Sequence, residues 1–198
     1  MTSGKDTVSY FNQIAESWQR LAAIDPAAVA AALDALRLSK GSRVLDAGCG
    51  TGLMLTPLLS RLGNPGGTDT YGRVVGLDPA RRMLAVAARR IRDPRLRLVC
   101  TSLCDYDGVD GPFDAILCSR ILHLMDDPPA VLTRLAGWLK PGGRLVILHV
   151  LDEEEVTNPV VVTLEHALSG DKWTRPACER GTHWAVLAAT RFGLEGLD

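Results

Sequence analysis

The 198-residue sequence lacks several features that would assign it to a special class of protein. No apolar run approaches the ~20 residues of a membrane span, and the first nine residues lack the basic-then-apolar pattern of a secretion signal. Its five cysteines include no Cys-x-x-Cys pair, which favours reduced thiols over disulfides or a metal site. We therefore expect a cytoplasmic protein of one domain without a metal centre.

The sequence also lacks a strong net charge, which is formally −1 at pH 7. Such a balance gives no general field to attract nucleic acid or an anionic membrane. Seven arginines do fall between Arg81 and Arg97, but they fit the exposed face of an amphipathic helix and no aromatic residues lie among them. The sequence therefore predicts no nucleic-acid partner.

The pattern that is present is an alternation of strands and helices. A helical segment runs from about Val8 to Leu38, with a break at Asp25-Pro26, where the aspartate caps a new helix. The five predicted strands that follow are Arg43–Asp46, Val74–Leu77, Leu96–Cys100, Phe113–Cys118 and Arg144–Val150. Strands separated by helix-length segments predict a doubly wound, Rossmann-like α/β fold, with a mostly parallel sheet and helices on both faces.

Open α/β sheets bind ligands at the carboxyl ends of their strands, so the residues there are the candidate site. The first strand leads to Asp46 and a glycine loop, and the second leads to Asp78. The side chains that follow the third and fourth strands are Ser102, Leu103, Ser119, Arg120 and His123. Glycines permit a tight turn and let backbone N–H groups approach a ligand.

The spacing of the glycines separates two kinds of nucleotide site. A dinucleotide enzyme requires Gly-x-Gly-x-x-Gly, whose third glycine would fall at Leu53 or Leu55. Asp46 is also poorly placed beside a pyrophosphate, whereas its carboxylate can accept hydrogen bonds from an ammonium group. The loop therefore favours S-adenosylmethionine, and a nicotinamide-dependent oxidoreductase remains a weaker alternative.

Four motifs in register resemble those of a known family. They are Val44–Gly52, Val75–Pro79 with Met83-Leu84, Phe113-Asp114 followed by Leu122-His123, and Leu139–Gly143. Together they resemble class I S-adenosylmethionine-dependent methyltransferases, in particular the ubiquinone and menaquinone biosynthesis branch (methyltransferase type 11). The resemblance covers about Val44 to Val150, and Tyr10–Trp18 is similar to the N-terminal lid of that branch. It implies a lid segment at residues 1–40 and a methyltransferase domain at residues 41–198.

The resemblance also implies roles for particular residues around S-adenosylmethionine. Asp46, with the backbone of Gly48, Cys49 and Gly50, would hold the methionine end. Asp78 would hold the ribose hydroxyls.

The adenine would lie between Pro79 and Met83 on one side and Ser102 and Leu103 on the other. Many relatives carry an aspartate where Ser102 stands. Ser119 would line the boundary between cofactor and substrate.

The expected reaction is methyl transfer to a small-molecule acceptor, in which alignment matters most and a general base is optional. His123 and His149 are the candidate bases for an acceptor that must lose a proton, and His123 is also expected to line the substrate site. Tyr10, Phe11 and Trp18 are candidates for a lid over the cofactor. A non-catalytic S-adenosylmethionine-binding or scaffold subunit is the main alternative.

The end of the chain departs from the resemblance, which implies two further strands, the seventh inserted antiparallel beside the fifth. Helices are expected at Val160–Leu168 and Thr182–Thr190, and Phe192–Leu197 resembles only the opening of strand six. The C-terminal strands thus look incomplete. We expect either that the sequence is truncated before strand seven or that the fifth strand is left at an open edge, which favours pairing with another chain, such as a homodimer partner.

Overall fold

The computed structural model describes residues 4–22, 24–63, 72–150 and 184–190. The helices are α1 (Gly4–Ile14), α2 (Trp18–Leu21), α3 (Pro26–Leu36), α4 (Leu55–Arg61), α5 (Arg81–Arg90) and α6 (Pro128–Gly137), with a short 3₁₀ turn at Leu122–Leu124. The strands are β1 (Arg43–Ala47), β2 (Arg73–Leu77), β3 (Leu96–Val99), β4 (Phe113–Ser119), β5 (Leu139–Val150) and β6 (Trp184–Thr190).

The strands form one sheet in the order β3-β2-β1-β4-β5-β6. The first five are parallel, and β6 runs antiparallel to β5. The order reverses direction between β1 and β4, which is the switch point where open α/β sheets bind ligands. The expected Rossmann-like, mostly parallel sheet is confirmed.

Successive strand residues point to opposite faces of the sheet and build two cores. Val44 and Leu117 belong to the core beneath α3, α4 and α5, whereas Leu45 and Ile116 belong to the core beneath α6. All four side chains are completely buried. Continuous apolar strands of this kind are typical of a parallel sheet covered on both faces.

The N-terminal helices divide into two groups with different neighbours. Asp25 caps α3 by accepting a hydrogen bond of 2.8 Å from the backbone N–H of Ala27, so the predicted break at Asp25-Pro26 is confirmed. Helix α3 packs on β4, β5 and β6 and contributes Leu36 to the main core, whereas α1 packs on α5. Only the first part of the predicted lid segment is therefore free of the central core.

Strand β5 begins earlier than the sequence pattern indicates. Helix α6 ends at Gly137, and Leu139 already pairs with Phe113. The register then shifts before Ala115 pairs with Arg144. Leu139 is buried at the end of the sheet, and this burial draws it into the strand in place of a last helical turn.

The expectation of an open edge at β5 is wrong. Residues Trp184–Thr190, expected to be helical, form β6 and pair with β5 from Arg144 to Val150. This antiparallel strand occupies the place that the resemblance gives to strand seven, and pairing with a second chain is not needed to cover β5. The predicted helix at Val160–Leu168 and the predicted strand at Phe192–Leu197 lie outside the described residues.

No helix in the described ranges is both long and apolar enough to cross a membrane.

Candidate active site

A cavity of about 1030 Å³ opens at the carboxyl ends of β1 to β4. Its wall includes every residue that the sequence assigned to the cofactor: Asp46, Gly48, Cys49, Gly50, Asp78, Pro79, Met83, Ser102, Leu103 and Ser119. The volume lies just above the roughly 300–1,000 Å³ of typical small-molecule sites. The topology thus brings all ten residues to one surface.

The glycine loop after β1 is fastened to the end of β2. The backbone N–H groups of Gly48 and Cys49 donate to the carbonyl oxygen of Leu77 at 2.8 and 3.0 Å. Gly48 has a φ of +77°, and a Cβ atom there would lie 2.4 Å from Cγ2 of Ile121. Only glycine satisfies both the backbone angle and the close approach.

Asp78 holds the same loop from the side of β2. Its carboxylate accepts one hydrogen bond of 2.9 Å from the N–H of Gly50 and another of 2.8 Å from the N–H of Ala80. Burial raises the pKa of Asp78, and these two donors oppose that rise. The carboxylate keeps further lone pairs for hydroxyl donors in the cavity.

Asp46 is the most unusual group in the cavity wall. It is 1 % exposed, and neither carboxylate oxygen accepts a hydrogen bond from any described residue. Burial, and secondarily the charge of Asp78, raises the pKa of Asp46 to about 7. A buried carboxylate without a partner is costly for the folded chain, which indicates that its partner is a ligand.

These two carboxylates test which cofactor fits the cavity. A ligand with an ammonium group satisfies Asp46, and a ribose diol satisfies Asp78. The pyrophosphate of a dinucleotide, held by the glycine loop, would instead lie beside the carboxylate of Asp46. The site therefore fits S-adenosylmethionine and disfavours a nicotinamide dinucleotide.

A hydrogen-bonded pair closes the end of the cavity that is expected to hold the adenine. Ser102 Oγ donates to Asp105 at 2.7 Å and accepts from the N–H of Asp105 at 3.1 Å. Because Asp105 also lines the cavity, an acidic group is present here although Ser102 replaces the aspartate of many relatives. Asp105 was not predicted from the sequence, because it lies five residues beyond the expected end of β3 at Cys100.

Two of the three candidate lid residues line the cavity. Phe11 and Trp18 belong to its wall and contact each other edge to face, with ring centres 5.2 Å apart. Tyr10 is 54 % exposed, packs against Phe11 and does not line the cavity. The expected contact between Tyr10 and the cofactor space is therefore absent from the described structure.

The two candidate bases, His123 and His149, lie outside the cavity wall. Their ring centres are 5.8 Å apart, with His149 buried in β5 and His123 exposed on the 3₁₀ turn. The turn carries Leu122 and Leu124 inward and directs His123 away, a local geometry that sequence spacing did not reveal. Their role as general bases therefore stays a prediction.

The part of the cavity wall next to α6 is built from residues that the sequence did not predict as site residues. They are Leu124, Met125, Asp126, Asp127, Ala130, Val131 and Arg134. The only sequence signal was the Asp127 cap of α6, which accepts from the N–H of Ala130 at 3.0 Å. No group of three or more histidine, cysteine or acidic residues suited to a metal ion occurs among the described residues.

Comparison with known proteins shows the family. The family described as "Methyltransferase domain" matches residues 44–143, half of the chain. The chain is 38 % identical over 118 residues to a nocamycin O-methyltransferase of Saccharothrix syringae, covering 57 % of this chain and 39 % of that protein. It is 31 % identical over 156 residues to a ubiquinone biosynthesis O-methyltransferase of Methylocella silvestris, covering 77 % and 54 %.

A solved S-adenosylmethionine-dependent methyltransferase from Aquifex aeolicus shares the fold. It has a TM-score of 0.68 and 19 % identity, and the match covers 89 % of this chain and 97 % of that one. The chain spans about half or less of the length of the curated relatives it matches. Since the family match runs from β1 through the glycine loop to the start of β5, the chain belongs to the class I S-adenosylmethionine-dependent methyltransferases.

Proposed function

We propose that this chain is the catalytic domain of a methyltransferase that transfers a methyl group from S-adenosylmethionine to an oxygen atom of a small molecule. The observation that carries the proposal is the buried, unpartnered carboxylate of Asp46 in the wall of a large cavity, beside a glycine loop anchored by Asp78. The names of the two relatives support oxygen as the acceptor atom.

The residues of the chain supply position and a dry environment. The cofactor, when bound, supplies a methyl group on a sulfonium, which is already activated for transfer. Asp46 orients the ammonium, Asp78 orients the ribose, and Phe11 and Trp18 cover the cavity from the side of α1 and α2, which we propose as the lid. Holding the two reactants in line accounts for much of the rate of such a displacement.

A concave cavity between Asp46 and α6 suits a small acceptor better than a nucleic acid. Leu124, Met125 and Val131 give the acceptor side an apolar surface, and Asp126 adds a negative charge that repels a phosphate backbone. No histidine is among the described residues that line the cavity. We therefore propose that catalysis depends mainly on positioning.

The proposal is tested by incubating the full chain with S-adenosylmethionine carrying a labelled methyl group and a panel of phenols, catechols and carboxylic acids. We expect S-adenosylhomocysteine release to rise with at least one acceptor, together with a labelled ether or ester product. Cofactor binding without transfer to any member of the panel would favour the non-catalytic subunit. Failure to bind S-adenosylhomocysteine would reject both functions.

A further inference from the structure

Two basic side chains, Arg120 and Arg134, line the described part of the cavity. Arg134 is held by the protein itself. Its Nη2 donates to the carbonyl oxygen of Tyr106 at 2.7 Å, and its guanidinium lies 5.4 Å from the ring centre of Trp138. Arg134 is therefore accounted for by local packing.

Arg120 differs in both its backbone and its contacts. It directly follows β4 with a φ of +56°, in the left-handed region that residues other than glycine rarely adopt. Its backbone N–H donates to the carbonyl oxygen of Leu148 at 2.8 Å, which fixes this turn to β5. The turn places the arginine side chain in the cavity wall.

The guanidinium of Arg120 has weak partners within the described residues. Its hydrogen bond to the carbonyl oxygen of Ala22 is long, at 3.4 Å, and its Cζ lies 5.9 Å from the ring centre of Trp18. No carboxylate of a described residue lies within 4 Å of it. Burial lowers the pKa of Arg120, so the charged form is stabilised when an anion binds.

Arg120 and Asp46 are opposite charges in one cavity that do not pair with each other. The glycine loop lies beside both. Ile121, the neighbour of Arg120, packs against Gly48, and Nε1 of Trp18 lies 3.8 Å from the position of a Cβ on Gly50. A small zwitterion is a ligand that supplies ion-pair partners to both the carboxylate of Asp46 and the guanidinium of Arg120 across such a loop.

We propose that Arg120 binds the carboxylate of the amino-acid end of S-adenosylmethionine, while Asp46 binds the ammonium. This assignment rests on the proposed function and adds a residue that determines which adenosyl sulfonium the cavity accepts. A carboxylate on the acceptor has the same chemistry, so the test must separate the two sources.

The test compares S-adenosylmethionine with its decarboxylated form, which keeps the ammonium and lacks the carboxylate. Calorimetry on the full chain should show that the wild type binds the complete cofactor at least tenfold more tightly. Arg120→Met should weaken the complete cofactor about ten- to a hundredfold and leave the decarboxylated form within about twofold, because one charge-assisted hydrogen-bonded pair is lost. The affinity of Arg120→Lys for the complete cofactor should lie between those of the wild type and Arg120→Met, since lysine keeps the charge without the bidentate geometry.

Arg61→Met is the matched control, because Arg61 forms an exposed ion pair with Asp34 outside the cavity wall. It should change neither affinity. If the wild type binds the two sulfoniums with equal affinity, the assignment is wrong. It is also wrong if Arg120→Met loses the same factor of affinity for both. A further outcome is that Arg120→Met leaves cofactor binding unchanged and weakens the binding of benzoate to protein saturated with S-adenosylhomocysteine. That result would show that Arg120 binds the acceptor, and it would overturn the assignment. A wild type that binds neither sulfonium would instead reject the proposed function.

Discussion

Asp46 and Asp78 lie at the carboxyl ends of neighbouring parallel strands, yet only Asp78 receives hydrogen bonds from the described backbone. Asp78 is occupied in holding the glycine loop, so its carboxylate is positioned before any ligand arrives. Asp46 is buried with no such donor, so we expect its ionisation to be coupled to ligand binding. The buried carboxylate of Asp46 therefore lowers the stability of the free protein, and we expect it to stabilise the complex.

Replacing Asp46 with asparagine should stabilise the protein without ligand at alkaline pH. The folded-state pKa of about 7 exceeds the reference value of 3.8, so the folded chain holds the extra proton between these values. The contribution of Asp46 to the free energy of unfolding therefore falls as pH rises through this window, by roughly 4 kcal/mol in all. Asp46→Asn should thus melt several degrees above the wild type at pH 8 and near it at pH 4.

Thermal melts of both proteins from pH 4 to pH 8 measure this difference. Asp34→Asn, at an exposed position, is the control and should show no such trend. A difference in melting temperature between Asp46→Asn and the wild type that stays constant with pH would argue against a raised pKa at Asp46.

The affinity for S-adenosylhomocysteine should rise with pH in the wild type. An ammonium beside Asp46 favours the carboxylate, so below the pKa of about 7 a proton must leave when the ligand binds. We expect the dissociation constant to fall about tenfold or more between pH 5.5 and pH 7.5. Calorimetry in buffers of different ionisation enthalpy should detect proton release, and Asp46→Asn should lose it. Uptake of protons by the wild type would contradict the assignment.

The sequence predicted the cofactor side of the cavity more completely than the acceptor side. Asp46, Gly48 and Asp78 belong to short motifs at strand ends, where topology alone brings them together. His123 lies outside the described cavity wall, because one residue of rotation in a 3₁₀ turn decides whether a side chain faces the cavity, and its role as a base stays a prediction. Trp184–Thr190 has too little alternation to separate a strand from a helix, and its pairing with β5 settled its structure.

Gly48→Ala should damage the site far more than a comparable substitution elsewhere. A Cβ at Gly48 would lie 2.4 Å from Ile121, whereas at Gly142, with a similar φ of +72°, it would meet nothing within 4 Å. Gly142→Ala should therefore show only the left-handed penalty of about 1–2 kcal/mol. Urea unfolding and ligand titration should show a larger loss of stability and weaker binding for Gly48→Ala, partly restored by adding Ile121→Ala. Equal effects of the two alanines would refute a close packing of the loop.

The segment from Tyr10 to Trp18 should exchange its amide hydrogens more slowly when S-adenosylhomocysteine is bound. Phe11 and Trp18 line the cavity and gain contacts with a ligand, whereas α3 belongs to the core and should change little. Hydrogen exchange followed by mass spectrometry, with the α3 peptide as internal reference, measures both. Identical exchange rates of Tyr10–Trp18 with and without ligand would show that this segment is not a lid.

The most direct test of a cofactor site at the carboxyl ends of β1 and β2 is the calorimetric affinity for S-adenosylhomocysteine in the wild type and in Asp78→Ala. We propose that Asp78 binds the ribose through charge-assisted hydrogen bonds worth ~1.5–3 kcal/mol, so its loss should weaken binding about ten- to a hundredfold. The exposed Asp34→Ala serves as control and should bind like the wild type. A wild type that binds S-adenosylhomocysteine with the same affinity as a folded Asp78→Ala would contradict the account.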